Sequence, residues 1–423
     1  MSKVPINPRV ARFLGYPQAM QFSDAIQENL KRFWMAGFLN SLALALTESF
    51  YTLYALSLGM TGSQIGLVNT LAQLSAAGLS MPGAVLADRT GRYKRLAVLG
   101  GVLSKSMWLV MALSPLFLPP QIAISVVMVA WVGITAFNTM GGSAWTALSA
   151  ELVPATIRGK YFASRNITLR LCKLLIVPVA GFAIKAVGEP LGYQISLFGA
   201  FLVGMAALAT FNRLPEHPKT AAEGEPFGFR EMVHQLPRLR NFVYFTITHS
   251  IVNLGVMIGG PFTQVYLAKG IGLDVVQISL VTSVGVFTAM VGMYVFGRLQ
   301  DRKGITWIMR FAVGMPLISV FWLWANTFWQ ALIVQMFAAF SWTGYILGSF
   351  ALLLAITPDE HRPRYVALHT TTVAIIGALG PFIGGRLLDS SGFVPTFVLS
   401  SIIRALGMIL FFALVREPSA GQD

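Results

Sequence analysis

Twelve apolar stretches, parted by breaks that are mostly too short to fold alone, leave this chain few ways to fold. They lie near 33–58, 62–86, 96–117, 121–150, 163–187, 191–212, 242–268, 275–298, 305–326, 329–355, 366–388 and 393–415. About 20 helical residues cross the roughly 30 Å of a bilayer's hydrocarbon, and each stretch reaches that length. Lipid offers backbone amides no partners, so only helices and closed barrels survive there, and the stretches lack the alternation of barrel strands. Charge agrees: 11% of the residues are Asp, Glu, Lys or Arg, against roughly 25% in a soluble chain.

The stretches also repeat. Asp88-Arg89-Thr90-Gly91 returns about two hundred residues later as Asp301-Arg302-Lys303-Gly304. Asn40 is matched by Asn253, Tyr54 by Tyr266, and Gln64-Ile65-Gly66-Leu67 by Gln277-Ile278-Ser279-Leu280. A second motif, Pro154-Ala155-Thr156-Ile157-Arg158-Gly159-Lys160-Tyr161, returns as Pro358-Asp359-Glu360-His361-Arg362-Pro363-Arg364-Tyr365. Matches in one order at a nearly constant offset mean two homologous halves. The expected fold is therefore all-α, with twelve transmembrane helices in two pseudo-symmetric six-helix bundles. The expected parts are an N-terminal segment 1–32, a bundle 33–212, a linker 213–241, a bundle 242–415 and a tail 416–423. Phe229, Met232, Val233 and Leu236 in the linker follow the spacing of a surface amphipathic helix.

The formal net charge of +14 would suggest nucleic acid on a soluble protein, but its distribution points to the membrane. Arg89, Arg92, Lys94 and Arg95 fall in the second break, Arg158 and Lys160 in the fourth, Arg298, Arg302 and Lys303 in the eighth, and Arg362 and Arg364 in the tenth. The odd-numbered breaks hold little beyond Lys185, Lys269 and Arg386. That is the positive-inside pattern, which puts both termini in the cytoplasm of a plasma membrane, the inner membrane if the cell is bacterial. The expected partners are the bilayer and a small solute, with or without a proton; nucleic acid is not expected, and a monomer suffices. No cofactor or metal is expected. Cys172 is the lone cysteine, and His217, His234, His249, His361 and His369 lack ligand spacing.

With these residues in view, the chain resembles the major facilitator superfamily of transporters. Gly297-Arg298-Leu299-Gln300-Asp301-Arg302-Lys303-Gly304 is similar to that family's G-x-L-x-D-R-x-G loop, and the first copy differs by carrying Ala84 at the leading glycine. Physically, each Asp closes a helix at its C-terminal end, where the dipole disfavours negative charge, so it needs an outside partner. Gly91 and Gly304 permit a tight reversal. The resemblance implies a cytoplasmic gate built from Asp88, Arg89, Gly91, Arg92, Arg158, Asp301, Arg302, Gly304 and Arg362. A plain topology loop is the alternative. Drug antiporters of this superfamily carry a similar G-P-x-x-G-G in span five. Here the intact copy, Gly380-Pro381 with Gly384-Gly385, lies in span eleven, and span five has only Pro178 and Gly181. Those antiporters' span-four arginine is also missing, with Ala130 or Trp131 near its place.

Candidate site residues are picked out by scarcity. Glu48 is the one acidic residue deep within an expected span, and a mid-membrane carboxylate needs a partner, water or a proton. Counted along the helices, Lys173 lies within roughly 8 Å of its depth and Arg170 about 4.5 Å lower. Glu48, Arg170 and Lys173 form the candidate coupling or substrate site. An ion pair that merely holds span one is the competing role. Lys105 and Arg404 also lie far from their span ends and read as snorkelling or structural. Polar residues converge on spans one, four, seven and ten, which the resembling family uses to line its cavity. They are Asn40, Ser41 and Tyr51; Asn138 and Trp145; His249, Asn253 and Gln264; and Trp342 and Tyr345. Helix packing is the other use for any one of them.

The chain is not expected to be an enzyme, because no nucleophile, base or phosphate loop is grouped. The expected function is secondary active transport of a small organic solute by alternating access, coupled to protons through Glu48. The alternative is an organic-anion carrier or facilitator that uses Arg170 and Lys173 without proton coupling. A transporter-like receptor is a third class.

Overall fold

The computed structural model describes residues 23–216, 236–311, 317–358 and 362–416. All regular structure among them is helical: α1 Asp24–Ala45, α2 Tyr51–Ser57, α3 Gly62–Thr90, α4 Tyr93–Phe117, α5 Pro120–Leu152, α6 Arg158–Val187, α7 Leu191–Asn212, α8 Arg240–Gly259, α9 Val275–Lys303, α10 Ile305–Phe311, α11 Leu317–Trp324, α12 Phe328–Ile356, α13 Arg362–Ser391 and α14 Phe393–Leu414. After α8 the chain continues through a 3-10 turn, Gly260–Phe262, and a π-helical turn, Tyr266–Gly270. Among the described residues, ten helices are long and apolar enough to cross a membrane. The first expected span is split into α1 and α2, and the ninth corresponds to α10 and α11. The expected linker helix lies outside the described residues apart from the single turn Leu236–Arg238.

The chain packs as two compact units, Met1–Tyr51 with Gly78–Glu223 and Thr52–Ala77 with Gly224–Asp423. In the first unit, an aromatic cluster anchors the middle of α1. Phe33, 1% exposed, stacks on Tyr161 of α6 and contacts Trp145 of α5 and Phe211 of α7. Bare backbone brings α4 against α5, since a Cβ on Gly100 would lie 2.8 Å from the Phe137 carbonyl. In the second unit, α8 lies between α13 and α14. A Cβ on Gly384 would overlap the Ile258 carbonyl oxygen, and one on Gly407 would come within 2.7 Å of Val252. Small residues let helices approach closely where no hydrophobic force drives them together.

The repeat has a local physical meaning. Thr61 and Gln64 bond reciprocally before α3, with Thr61 N–H donating to Gln64 Oε1 at 2.9 Å and Gln64 N–H donating to Thr61 Oγ1 at 3.2 Å. Asp274 and Gln277 do the same before α9, at 3.1 and 2.9 Å. The repeated Gln is therefore half of a capping box, used once per half. The second repeated feature closes the same helices: Gly91 and Gly304 take positive φ of 62° and 81°, a region open to glycine without a steric penalty.

One further cap was not visible in the sequence. The Asp389 carboxylate accepts from the amides of Gly62 at 2.8 Å and Ser63 at 2.7 Å, within the second unit. A carboxylate suits a helix N-terminus, where free amides and the dipole both favour it. Asp389→Ala is expected to lower the unfolding free energy by about 1 kcal/mol, the usual value of an N-cap at an exposed site. Thermal unfolding in detergent checks this: the midpoint should fall for Ala and be largely retained for Asn. An unchanged midpoint for Ala would remove the cap's role.

Candidate functional site

Glu48 lies where the first span breaks. After Ala45 the helix unwinds, with Thr47 N–H donating to the Leu44 carbonyl at 3.2 Å and Glu48 N–H to the same carbonyl at 2.9 Å. The freed Leu46 carbonyl accepts from Ser196 Oγ of α7 at 2.7 Å. Irregular backbone at membrane depth survives only when protein or cavity water satisfies it. At this break Lys173 Nζ of α6 meets Glu48 Oε2 at 2.9 Å. The side chains keep 32% and 44% of their exposure, so the pair is open and not sealed in the packed interior. One turn on, Tyr51 accepts from Trp108 Nε1 at 2.6 Å and lies against Trp131.

Arg170 does not join this pair; it is exposed, a turn below Lys173 on α6. Lys105 and Arg404 do not snorkel. Each is 4% exposed, and Lys105 Nζ lies 4.4 Å from the centroid of the Trp108 ring. Three expected lining residues, Asn40, Asn138 and Trp145, border one cavity of about 350 Å³ inside the first unit. Ser41 instead donates to the Leu169 carbonyl at 2.9 Å and ties α1 to α6. Lys105 and Arg165 also border the cavity. Arg165 is 7% exposed, with its guanidinium 4.9 Å from the centre of Phe33 and 5.6 Å from that of Trp145. It is absent from the set expected from the sequence.

In the second unit the polar residues form a buried chain. Thr246 Oγ1 lies 2.9 Å from His369 Nδ1, and His369 Nε2 lies 3.0 Å from His249 Nδ1. Phe245 stacks on His369, and Tyr345 meets His249 edge-on, with Trp342 stacked on Tyr345. His369 is the other member that the expected set lacks. Asn253 donates to the Val373 carbonyl at 3.1 Å and so bridges α8 to α13. Gln264 lies in the short segment after α8, half-buried.

The loop residues are at helix ends as expected. Asp88 and Arg89 fall in the last turn of α3, and Asp301 and Arg302 in that of α9. Arg89, Arg92, Asp301 and Arg302 are exposed, and among the described residues Asp301 has no ion pair. Arg158, which opens α6, donates to the Val153 carbonyl at 3.4 Å, and Arg362 opens α13 half-buried.

A chain of long apolar helices, ten of them among the described residues able to cross a membrane, has the make-up of a multi-span membrane protein. The Major Facilitator Superfamily model matches residues 33–263 and 245–423, and the chain belongs to that family. It is a membrane transporter and not an enzyme. Quinolone resistance protein NorA of Staphylococcus aureus (strain MSSA476) is 24% identical over 362 residues, covering 83% of this chain and 88% of NorA. Multidrug resistance protein MdtG of Dickeya zeae is 31% identical over 124 residues, covering 29% and 30%. Among solved structures, a point mutant of the nucleoside transporter NupG gives a TM-score of 0.71 at 13% identity, covering 91% of this chain and 98% of NupG. A D-xylose-proton symporter gives 0.69 at 15% identity, covering 92% and 97%. These two likenesses show the fold.

Proposed function

We propose that the protein is a proton-coupled secondary transporter of a small organic solute, working by alternating access, with Glu48 as the carboxylate that takes up the proton or meets the solute. The observation that carries this reading is the open Glu48–Lys173 pair at 2.9 Å, located where the first span loses its helix. A carboxylate with water on one side and an ammonium on the other can trade its cation for a proton without stranding a bare charge. The names of NorA and MdtG support an organic solute. The basic breaks support a bacterial plasma membrane with both termini cytoplasmic. The paired Asp-Arg-x-Gly loops support a cytoplasmic gate that latches and releases once per cycle.

The test uses full-length protein in liposomes and a solute chosen by thermal shift, with quinolones among the candidates. Uptake should follow the sign of an imposed pH gradient and collapse with a protonophore. Uptake indifferent to both would discard proton coupling and leave the facilitated carrier.

A further inference from the structure

We propose that the cavity inside the first unit is a binding site for a small organic anion, an aromatic carboxylate in particular. Arg165 and Lys105 supply the charge, and the half-buried Trp145 holds the flat body. Neither Glu48 nor Lys173 borders the cavity, although the field of the Glu48 carboxylate reaches Lys105.

Four observations carry it. The cavity, about 350 Å³, falls within the range of small-ligand pockets, roughly 300–1,000 Å³. Its border holds two cations and no Asp or Glu. Arg165 and Lys105 are 7% and 4% exposed, and neither has an ion pair or hydrogen bond among the described residues. The Arg165 Nε is fully covered without an acceptor. An arginine this far from solvent normally has a carboxylate, because an unmatched charge in a low-dielectric interior is strongly unfavourable. Aromatic faces offset only part of that through their quadrupoles.

The surrounding residues suit the rest of such a ligand. Asn40 and Asn138 add amides that can donate to an oxyanion or to a ring substituent. Gly37 leaves room for the guanidinium, whose Nη2 would overlap a Cβ there. A planar fork of donors fits a carboxylate in two-point fashion, and the adjoining Trp145 ring favours a flat apolar body over a bare inorganic ion. Phosphate-bearing lipid could offer a similar oxyanion, so the experiment separates the two sources.

Full-length protein in uncharged maltoside micelles is titrated with radiolabelled benzoate by equilibrium dialysis, with no gradient present. Saturable binding near one per chain is expected, weakened at least about tenfold by Arg165→Gln, since truncating one side of a buried charge pair removes a hydrogen-bonded contact. Lys105→Met keeps the packed stem and should weaken binding by a similar factor, so the test survives if one variant does not fold. Inorganic phosphate should compete poorly. Absent or non-saturable binding overturns the proposal, as does unchanged affinity in both variants. Full displacement of benzoate by equimolar phosphatidylglycerol assigns the site to a lipid headgroup and overturns the solute assignment. Because no transport is measured, failure here leaves the Glu48 reading standing, and loss of coupling in Glu48→Gln leaves this one standing.

Discussion

Glu48→Gln is expected to end uphill accumulation in proteoliposomes while solute still exchanges down its own gradient. A difference of about two pH units stores about 2.7 kcal/mol per proton, enough for about hundredfold accumulation at one proton per solute. Gln keeps the size and hydrogen bonding of Glu but holds no exchangeable charge, so the accumulation ratio should fall from near that limit towards one. The Lys173 ammonium, 2.9 Å away in the native protein, would face a neutral amide. The pair is open to solvent, so losing it should change stability by under about 1 kcal/mol. That separates coupling from scaffolding. If Glu48 merely held the first span, uphill and downhill flux would fall together, with the unfolding midpoint. A variant that still accumulates solute a hundredfold would refute the assignment.

Gly384→Val is expected to remove most folded protein. Its Cβ would overlap the Ile258 carbonyl oxygen and its side chain would press on Phe262. The neighbour is helix backbone, which cannot swing aside, so α8 and α13 must separate along their length. Overpacking of a tight contact typically costs about 1–3 kcal/mol, and a rigid backbone partner puts this case at the upper end or beyond. The monodisperse yield after solubilisation should drop severely. Gly199→Ala is the matched control, because nothing lies within 4 Å of a Cβ there. Equal yields for the two would mean that the α8–α13 contact contributes little.

Much of this architecture was legible from residue type and order alone. The all-helical spans and the loop closures follow from apolar length and two glycines, because lipid leaves the backbone so few choices. The Glu48–Lys173 contact was readable because a carboxylate is rare there and depth can be counted at 1.5 Å per residue. The break beside it was not, since Ala45 to Phe50 carry no proline or glycine to announce it. Arg165 escapes a linear reading for a matter of boundary. The expected span starts at residue 163, two residues before it, whereas α6 begins at Arg158 and carries Arg165 inward. The clue was the aromatic company of Phe33 and Trp145, which lie far apart along the chain. His369 and Asp389 were hidden for the same reason, as their partners come from helices distant in sequence.

The Thr246–His369–His249 chain has a consequence of its own. A neutral imidazole carries one N–H and one bare nitrogen. Each gap, 2.9 and 3.0 Å, holds a single proton. If Thr246 donates to His369 Nδ1, His369 must donate onward from Nε2 to His249. If His249 Nδ1 donates instead, His369 turns its acceptor to it, and Thr246 must accept from Nδ1. The three side chains therefore share one direction and reverse it only together. A single added proton on His369 makes both its nitrogens donors and erases that direction, so the second unit contains a small polarised wire whose sense is set at either end.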